Sequence, residues 1–272
     1  MAIKLFVTDL DGTLLPTGTK VSEKNIKAVR DAAAAGVTVT IATGRMYRAS
    51  LPVARALGVN VPIITYNGAL IKSVEGEVLY DVYLDPELVR EVMDFCEAKD
   101  WYIQTYSNDE LYFPVHDEHA QFYEREQKLT GKAVGWEALR NFNEHVPKLL
   151  SITADTEETQ TRIRTLQKEF DGRMIVVSSN PRYAEIIPLG VSKAAAIGHL
   201  AEKMGIRREE IMAIGDSNND LSMLKAAGKS VAMGNAIPEV KEVCDYVTET
   251  CEEDGFAEAV YRYVLKRGTV KK

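Results

Sequence analysis

Ile3-Lys4-Leu5-Phe6-Val7-Thr8-Asp9-Leu10-Asp11-Gly12-Thr13 is the stretch on which the fold turns. The run from Ile3 to Thr8 reads as a buried strand. Two carboxylates, Asp9 and Asp11, follow where that strand runs out. An extended chain repeats its side-chain direction every two residues, so both can face one site. Like charges this close resist joint ionisation unless a cation joins them or one keeps its proton. The pair therefore points to metal-assisted chemistry with one carboxylate as nucleophile. Asp and Gly also favour turns, so this motif alone admits a plain strand-to-turn junction.

Working outward, the first part of the chain alternates strands and helices. A helix opens near Ser22, with Ile26, Val29 and Ala33 expected on one face and Gly36 as its stop. Val37–Ala42 reads as a second strand, a helical stretch through Leu51 and Leu57 follows, and Val61–Thr65 reads as a third strand. The pattern resumes near the other end. Ser192 caps a helix carrying Ile197, Leu200 and Met204, and Ile211–Ile214 and Ser230–Met233 are further strands. Such strand–helix–strand units imply a parallel sheet with right-handed crossovers. The middle differs. Pro86 after Asp85 opens a helix, aromatic-rich strands follow at Trp101–Tyr106 and Leu111–Pro114, and a helix opened by Asp155 lies between later strands. The expected fold is α/β: a parallel-sheet core of residues 1–84 and 188–272, with an inserted α+β module of residues 85–187.

Three polar motifs each directly follow an apolar parallel-strand candidate: Asp9-Leu10-Asp11, Thr43-Gly44-Arg45 and Gly215-Asp216-Ser217-Asn218-Asn219-Asp220. Ligands of open α/β sheets lie outside the carboxyl ends of the strands, so the three can converge on one crevice. Their chemistry fits phosphoryl transfer. Asp9 would attack phosphorus and form an aspartyl phosphate. Attack by an anion on an anionic ester needs charge neutralisation, for which Mg²⁺, a hard ion preferring oxygen ligands, is suited. Asp9 and Asp216 side chains with the backbone carbonyl of Asp11 would hold it. The Asp11 side chain would then serve as acid to the leaving alkoxide and as base on water. Thr43 can donate its hydroxyl, Gly44 lets the backbone N–H approach the phosphoryl oxygens, and Lys193 adds positive charge at a helix start.

Asp9–Thr13, Thr43-Gly44-Arg45, Lys193 and Gly215–Asp220 resemble, in order, the four motifs of the haloacid dehalogenase superfamily. The length, the inserted module and Tyr66-Asn67-Gly68-Ala69 are similar to its Cof-type phosphatases with a C2-type cap. The resemblance implies a Rossmann-like core with residues 85–187 as its cap, and Mg²⁺-dependent phosphomonoester hydrolysis with Asp9 as nucleophile and Asp11 as acid/base. It implies Thr43, Gly44, Lys193 and Asn219 around the phosphate and Asp216 as a metal ligand. Asp220 would orient Lys193 or a metal-bound water. Arg45 is left open between substrate contact and pairing with an acidic neighbour. Ser217 and Ala194 stand where many relatives carry other small residues.

The 272 residues are 46 % hydrophobic and 27 % charged, with a formal net charge of −7. That composition fits a globular protein acting on a small phosphorylated substrate, and argues against nucleic acid or an anionic membrane surface. Cys96, Cys244 and Cys251 are scattered, suggesting neither a disulfide framework nor a zinc site. With no leader pattern or membrane-length apolar run, a cytoplasmic location is expected. His116 and His119 have a spacing that can bind metal, without an apparent third ligand. The aromatics Trp101, Tyr102, Tyr106, Tyr112 and Phe113 are expected to pack a sheet face. Lys266, Arg267, Lys271 and Lys272 read as a solvated end. Alternatives are a phosphomutase using the same nucleophile and, from another class, a phospho-acceptor signalling or binding protein.

Overall fold

The computed structural model describes residues 2–16, 20–59 and 61–266. Of the basic end, Arg267, Lys271 and Lys272 lie outside these residues. The chain divides into two compact units: Met1–Arg45 with Ser50–Tyr80 and Ser192–Lys272, and Met46–Ala49 with Asp81–Val191.

In the first unit, five strands form a parallel sheet in the order Tyr246–Val247, Lys229–Ala232, Ile211–Gly215, Leu5–Thr8, Thr38–Ile41. Leu5–Thr8 has a hydrogen-bonded strand on each side and is buried throughout. A strand covered on both faces reads as a continuous apolar run, and Phe6 stacks on Phe256 at 5.6 Å between ring centroids. Thr8 lies beside Ile41 on one side and Ile214 on the other. This register brings the three polar junctions to the same end of the sheet. A bridge from Ala42 to Ile64 leads into a separate sheet of Ile63–Thr65, Leu70–Lys72 and Val78–Asp81; the last two strands carried no clear alternation in the sequence.

The first helix, Glu23–Ala34, is capped by Ser22, whose hydroxyl accepts from the Asn25 N–H. Its buried stripe is Asn25, Ala28, Val29 and Ala32: Val29 stands where expected, whereas Ile26 is half-buried and Ala33 exposed. The displacement comes from Asn25, whose side-chain oxygen accepts from the Ala257 N–H at 3.1 Å. A distant backbone partner thus turns a polar residue inward.

The second unit has a six-stranded sheet in the order Ile175–Val177, Tyr183–Ile187, Leu149–Ile152, Gln104–Ser107, Glu110–Phe113, Lys132–Ala133. Its pairs are antiparallel except the last. Helices Pro86–Ala98 and Thr156–Glu169 supply Leu88, Val92, Ile163 and Leu166 to an apolar core with Leu149 and Ile186. Asp85 and Asp155 cap these helices as their positions predict. A short helix, Gly135–Leu139, was not apparent in the sequence. Tyr102, Tyr106 and Phe113 are buried in this unit. Lys148 and Glu185, both nearly inaccessible, form an ion pair at 2.7 Å. His116 and His119 each face a carboxylate of their own, Glu124 and Asp117. Among the described residues, no helix is long and apolar enough to cross a membrane.

Candidate active site

The strand Leu5–Thr8 delivers Asp9 to the carboxyl end of the sheet. The Asp9 N–H still donates to Ile214 O at 3.1 Å, which anchors its backbone to the neighbouring strand. The side chain is 6 % exposed, and its Oδ1 accepts from Lys193 Nζ at 2.6 Å. Lys193 opens the helix Lys193–Lys203 behind the cap Ser192, whose hydroxyl accepts from the Ala195 N–H. Lys193 is itself 1 % exposed and donates equally to Asp220 Oδ1 at 2.6 Å.

The strand Ile211–Gly215 ends in the turn carrying Asp216 and Asp220. Asp220 is fully buried, and its Oδ2 accepts from the N–H groups of Asp216 and Ser217 at 2.9 and 3.0 Å. Both oxygens of Asp220 are thereby committed, and the residue holds the turn as well as the lysine. Thr13 donates its hydroxyl to Asp216 Oδ1 at 2.7 Å. Two glycines make this packing possible. A Cβ at Gly12, where φ is +76°, would lie 2.5 Å from Asp216 Oδ2, and one at Gly215 would lie 2.6 Å from Asp220 Cγ. Asn235 fixes the Gly12 loop, donating to Gly12 O and accepting from the Cys251 N–H, each at 2.8 Å.

The third junction brings Thr43, Gly44 and Arg45, all buried. Thr43 Oγ1 accepts from the Arg45 N–H. The Arg45 side chain grips Asp11 with two bonds, Nε to Oδ2 at 2.8 Å and Nη2 to Oδ1 at 2.5 Å. Arg45 therefore pairs with an acidic neighbour. Asp11 is about half exposed, but its carboxylate is engaged and not free. Asn219 donates from Nδ2 to Asn67 Oδ1 at 3.0 Å, and the Asn67 N–H donates to Thr43 O at 3.0 Å. Asn67 thus ties the second junction to the third.

Electrostatically the site is short of positive charge. Arg45 balances Asp11, while among the described residues Lys193 alone stands against Asp9, Asp216 and Asp220. Burial drives Asp9 well above the ordinary carboxylate range; Lys193 opposes this and the acidic neighbours add to it. Burial and the charge of Asp220 push Asp216 up to about 7 against the Thr13 hydrogen bond. Burial alone would lower Lys193, but Asp220 and Asp9 together hold it above its usual value. Carboxylate oxygens of Asp9, Asp216 and Asp220 lie within 4.8 Å of one another. An oxygen-only set with two negative charges unbalanced suits a hard divalent cation. Asp9 and Asp216 have the freer oxygens, since Asp220 is committed elsewhere.

The residues assigned in the sequence to the acidic and phosphate-binding motifs stand at the carboxyl ends of the core strands or at the adjoining helix start. Asp9, Lys193 and Asp220 are directly bonded, Asp216 adjoins them, and Thr43 and Asn219 are joined through Asn67. Three participants were missed: Thr13 as the partner of Asp216, Asn235 as the brace of Gly12, and Asn67. For Asn67 a signal existed, since an Asn-Gly pair just after a strand tolerates left-handed backbone.

The chain matches the family of haloacid dehalogenase-like hydrolases over residues 6–260. It is 32 % identical to the 5-amino-6-(5-phospho-D-ribitylamino)uracil phosphatase YcsE of Bacillus subtilis, over 97 % of this chain and 96 % of that protein. Among solved structures, a haloacid dehalogenase-like hydrolase from Bacteroides thetaiotaomicron superposes with a TM-score of 0.85 at 33 % identity, covering 96 % of this chain and 99 % of that one. The subclass IIB sugar phosphatase BT4131 superposes with a TM-score of 0.79 at 28 % identity, covering 96 % and 98 %. The chain belongs to the haloacid dehalogenase-like hydrolases and is an enzyme of their phosphatase kind.

Proposed function

We propose that this protein is a Mg²⁺-dependent phosphomonoester hydrolase that works through an aspartyl phosphate on Asp9. Its substrates are small phosphorylated metabolites, sugar phosphates first among them, in a cytoplasmic setting. The observation that carries the reading is the buried Asp9 carboxylate, held by Lys193 beside an unbalanced acidic neighbour, Asp216. Relatives named as phosphatases of a sugar phosphate and of a phosphoribityl compound support the substrate class. The inserted α+β unit, residues 85–187, takes the part of the cap.

Asp9, Asp216 and the Asp11 carbonyl are the ligands proposed for Mg²⁺. When bound, the ion supplies charge neutralisation between these carboxylates and the phosphoryl oxygens. Lys193, the Thr43 hydroxyl, the Gly44 N–H and Asn219 bind and orient the phosphoryl group. A carboxylate oxygen of Asp9 attacks phosphorus, the bond from phosphorus to the ester oxygen breaks, and the departing alkoxide takes a proton from Asp11. In the second step a water gives a proton to Asp11 and its oxygen attacks phosphorus, releasing Asp9 and inorganic phosphate. Both oxygens of Asp11 accept from Arg45, so donation by Asp11 requires at least one of those bonds to open. Arg45 is thus a positioning residue for the acid/base.

The test is hydrolysis of p-nitrophenyl phosphate with and without added Mg²⁺, beside Asp9→Asn. Turnover should require the ion and fall by at least about 10⁴-fold in the variant, the scale of losing a nucleophile. Turnover that survives in Asp9→Asn would overturn the assignment. A stable phosphoprotein without turnover would favour a phospho-acceptor.

A further inference from the structure

We propose that the side-chain amide of Asn67 is a further donor to the phosphoryl oxygens of the substrate, an assignment that rests on the phosphomonoesterase reading above. Asn67 is 3 % exposed, yet its Nδ2 has no hydrogen-bond partner among the described residues. Buried amide groups are nearly always paired, so a donor held in this state asks for an acceptor. In the structure the pattern of bonds leaves one end of the amide over. The Ser217 hydroxyl donates to Asn219 Oδ1 at 2.8 Å, which turns Asn219 Nδ2 toward Asn67. Asn67 must answer with Oδ1, and Nδ2 remains.

The backbone is built to keep it there. Tyr66, Asn67 and Gly68 have φ of 52°, 58° and 106°, three successive residues in left-handed space. A Cβ at Gly68 would lie 2.3 Å from Ser192 O, so this turn is pressed against the start of the Lys193 helix. The Asn67 N–H donates to Thr43 O, and its side chain accepts from Asn219. Asn67 therefore stands between two residues assigned to the phosphate, on a turn packed against the residue preceding a third. Non-glycine residues in left-handed space cost energy and persist where surrounding structure imposes them. An anion oxygen is the acceptor this neighbourhood is arranged to hold.

Two variants of the full chain, each assayed with Mg²⁺, separate this role from a structural one. Asn67→Asp keeps the shape and the oxygen that accepts from Asn219, but replaces the Nδ2 donor with an acceptor. Asn67→Gly keeps the left-handed backbone and removes both. The readouts are calorimetric binding of inorganic phosphate and the KM and kcat for p-nitrophenyl phosphate. Asn67→Asp should weaken phosphate binding and raise KM by at least about tenfold, and no less than Asn67→Gly does. If Asn67 only holds Asn219 in place, Asn67→Gly will cost no further phosphate affinity in an Asn219→Ala background, which overturns the proposal, as does an Asn67→Asp variant equal to the wild type. Should Asn67→Asp not fold, Asn67→Gly carries the test, and unchanged phosphate affinity there overturns it. Failure of the parent reading appears in the wild type, which would neither bind inorganic phosphate nor hydrolyse the ester, and Asn67 would fall with it. Failure of Asn67 alone leaves an active wild type, with Asn67→Asp equal to it or with Asn67→Gly having no effect once Asn219 is gone.

Discussion

The strands Leu5–Thr8 and Ile211–Gly215 run side by side through the core, and their two ends carry opposite electrostatics. At the amino ends, Lys4 and Glu210 face each other at 2.8 Å. Lys4 and the Arg207 backbone N–H hold Glu210 down to about 2. At the carboxyl ends the neighbours are Asp9 and Asp216, and both are pushed upward. Glu210 and Asp9 are similarly inaccessible, at 6 % and 4 %. The two ends differ in depth as well as in countercharge: burial is the largest effect on Asp9, whereas Glu210 lies near the surface, where Lys4 and Arg207 reach it. One end is satisfied within the chain. The other is left in deficit, as expected of a site that must receive a cation and an anionic ester.

The largest effect that sharpens this contrast is on catalysis. Lys193→Met removes the cation bonded to Asp9 and Asp220, and kcat for an aryl phosphate should fall about 10²–10³-fold. A variant with near-normal kcat would break the contrast.

A smaller effect is on stability, and its sign reverses between the ends. Asp216 has a raised pKa in the fold, so its ionised form disfavours the native state. That penalty is complete above about 7 and disappears as pH falls toward the ordinary value of 3.8. Asp216→Asn keeps an oxygen for Thr13 and removes the charge. In chelator-treated protein it should raise unfolding stability at pH 8 by about 1–3 kcal/mol, with the gain shrinking between pH 7 and 4. Denaturant titration at several pH values measures this, and destabilisation at pH 8 would contradict it.

The smallest effect belongs to the satisfied end. The depressed pKa of Glu210 contributes stability present above its usual value of 4.5 and lost as pH falls through about 2. Glu210→Gln should lower Tm modestly at neutral pH, because Lys4 is 55 % exposed and its charge is screened. The difference from wild type should close below pH 2. A Tm that rises at neutral pH would erase the distinction between the ends.

Much of this was legible because it is local. Asp9, Thr43 and Asp216 each follow an apolar strand, and strand direction alone sends them to one end. Ser22, Asp85, Asp155 and Ser192 announce their helices by capping chemistry that spans three residues. What stayed hidden depends on partners remote in sequence. Asn25 turns inward for Ala257, 232 residues away. Arg45 reaches Asp11 across 34 residues, and Asn219 reaches Asn67 across 152. No periodicity encodes such pairs. The division of labour between Asp9 and Asp11 was expected from their chemistry; the guanidinium that occupies Asp11 was only one of two possibilities for Arg45.

Gly12 and Gly215 carry a consequence for how this protein can vary. Each abuts a carboxylate so closely that a single methyl group would displace it. Gly36 and Gly58, like Gly12, have positive φ, but open space surrounds the position of their Cβ atoms. The two pairs look alike in a sequence and differ in mutational tolerance: an asparagine, at ease in left-handed backbone, is admissible at 36 or 58 and barred at 12. Redesigning the acidic cluster by drift through alanine is therefore closed at 12 and 215, and any altered ion preference must be reached through side chains that already exist there.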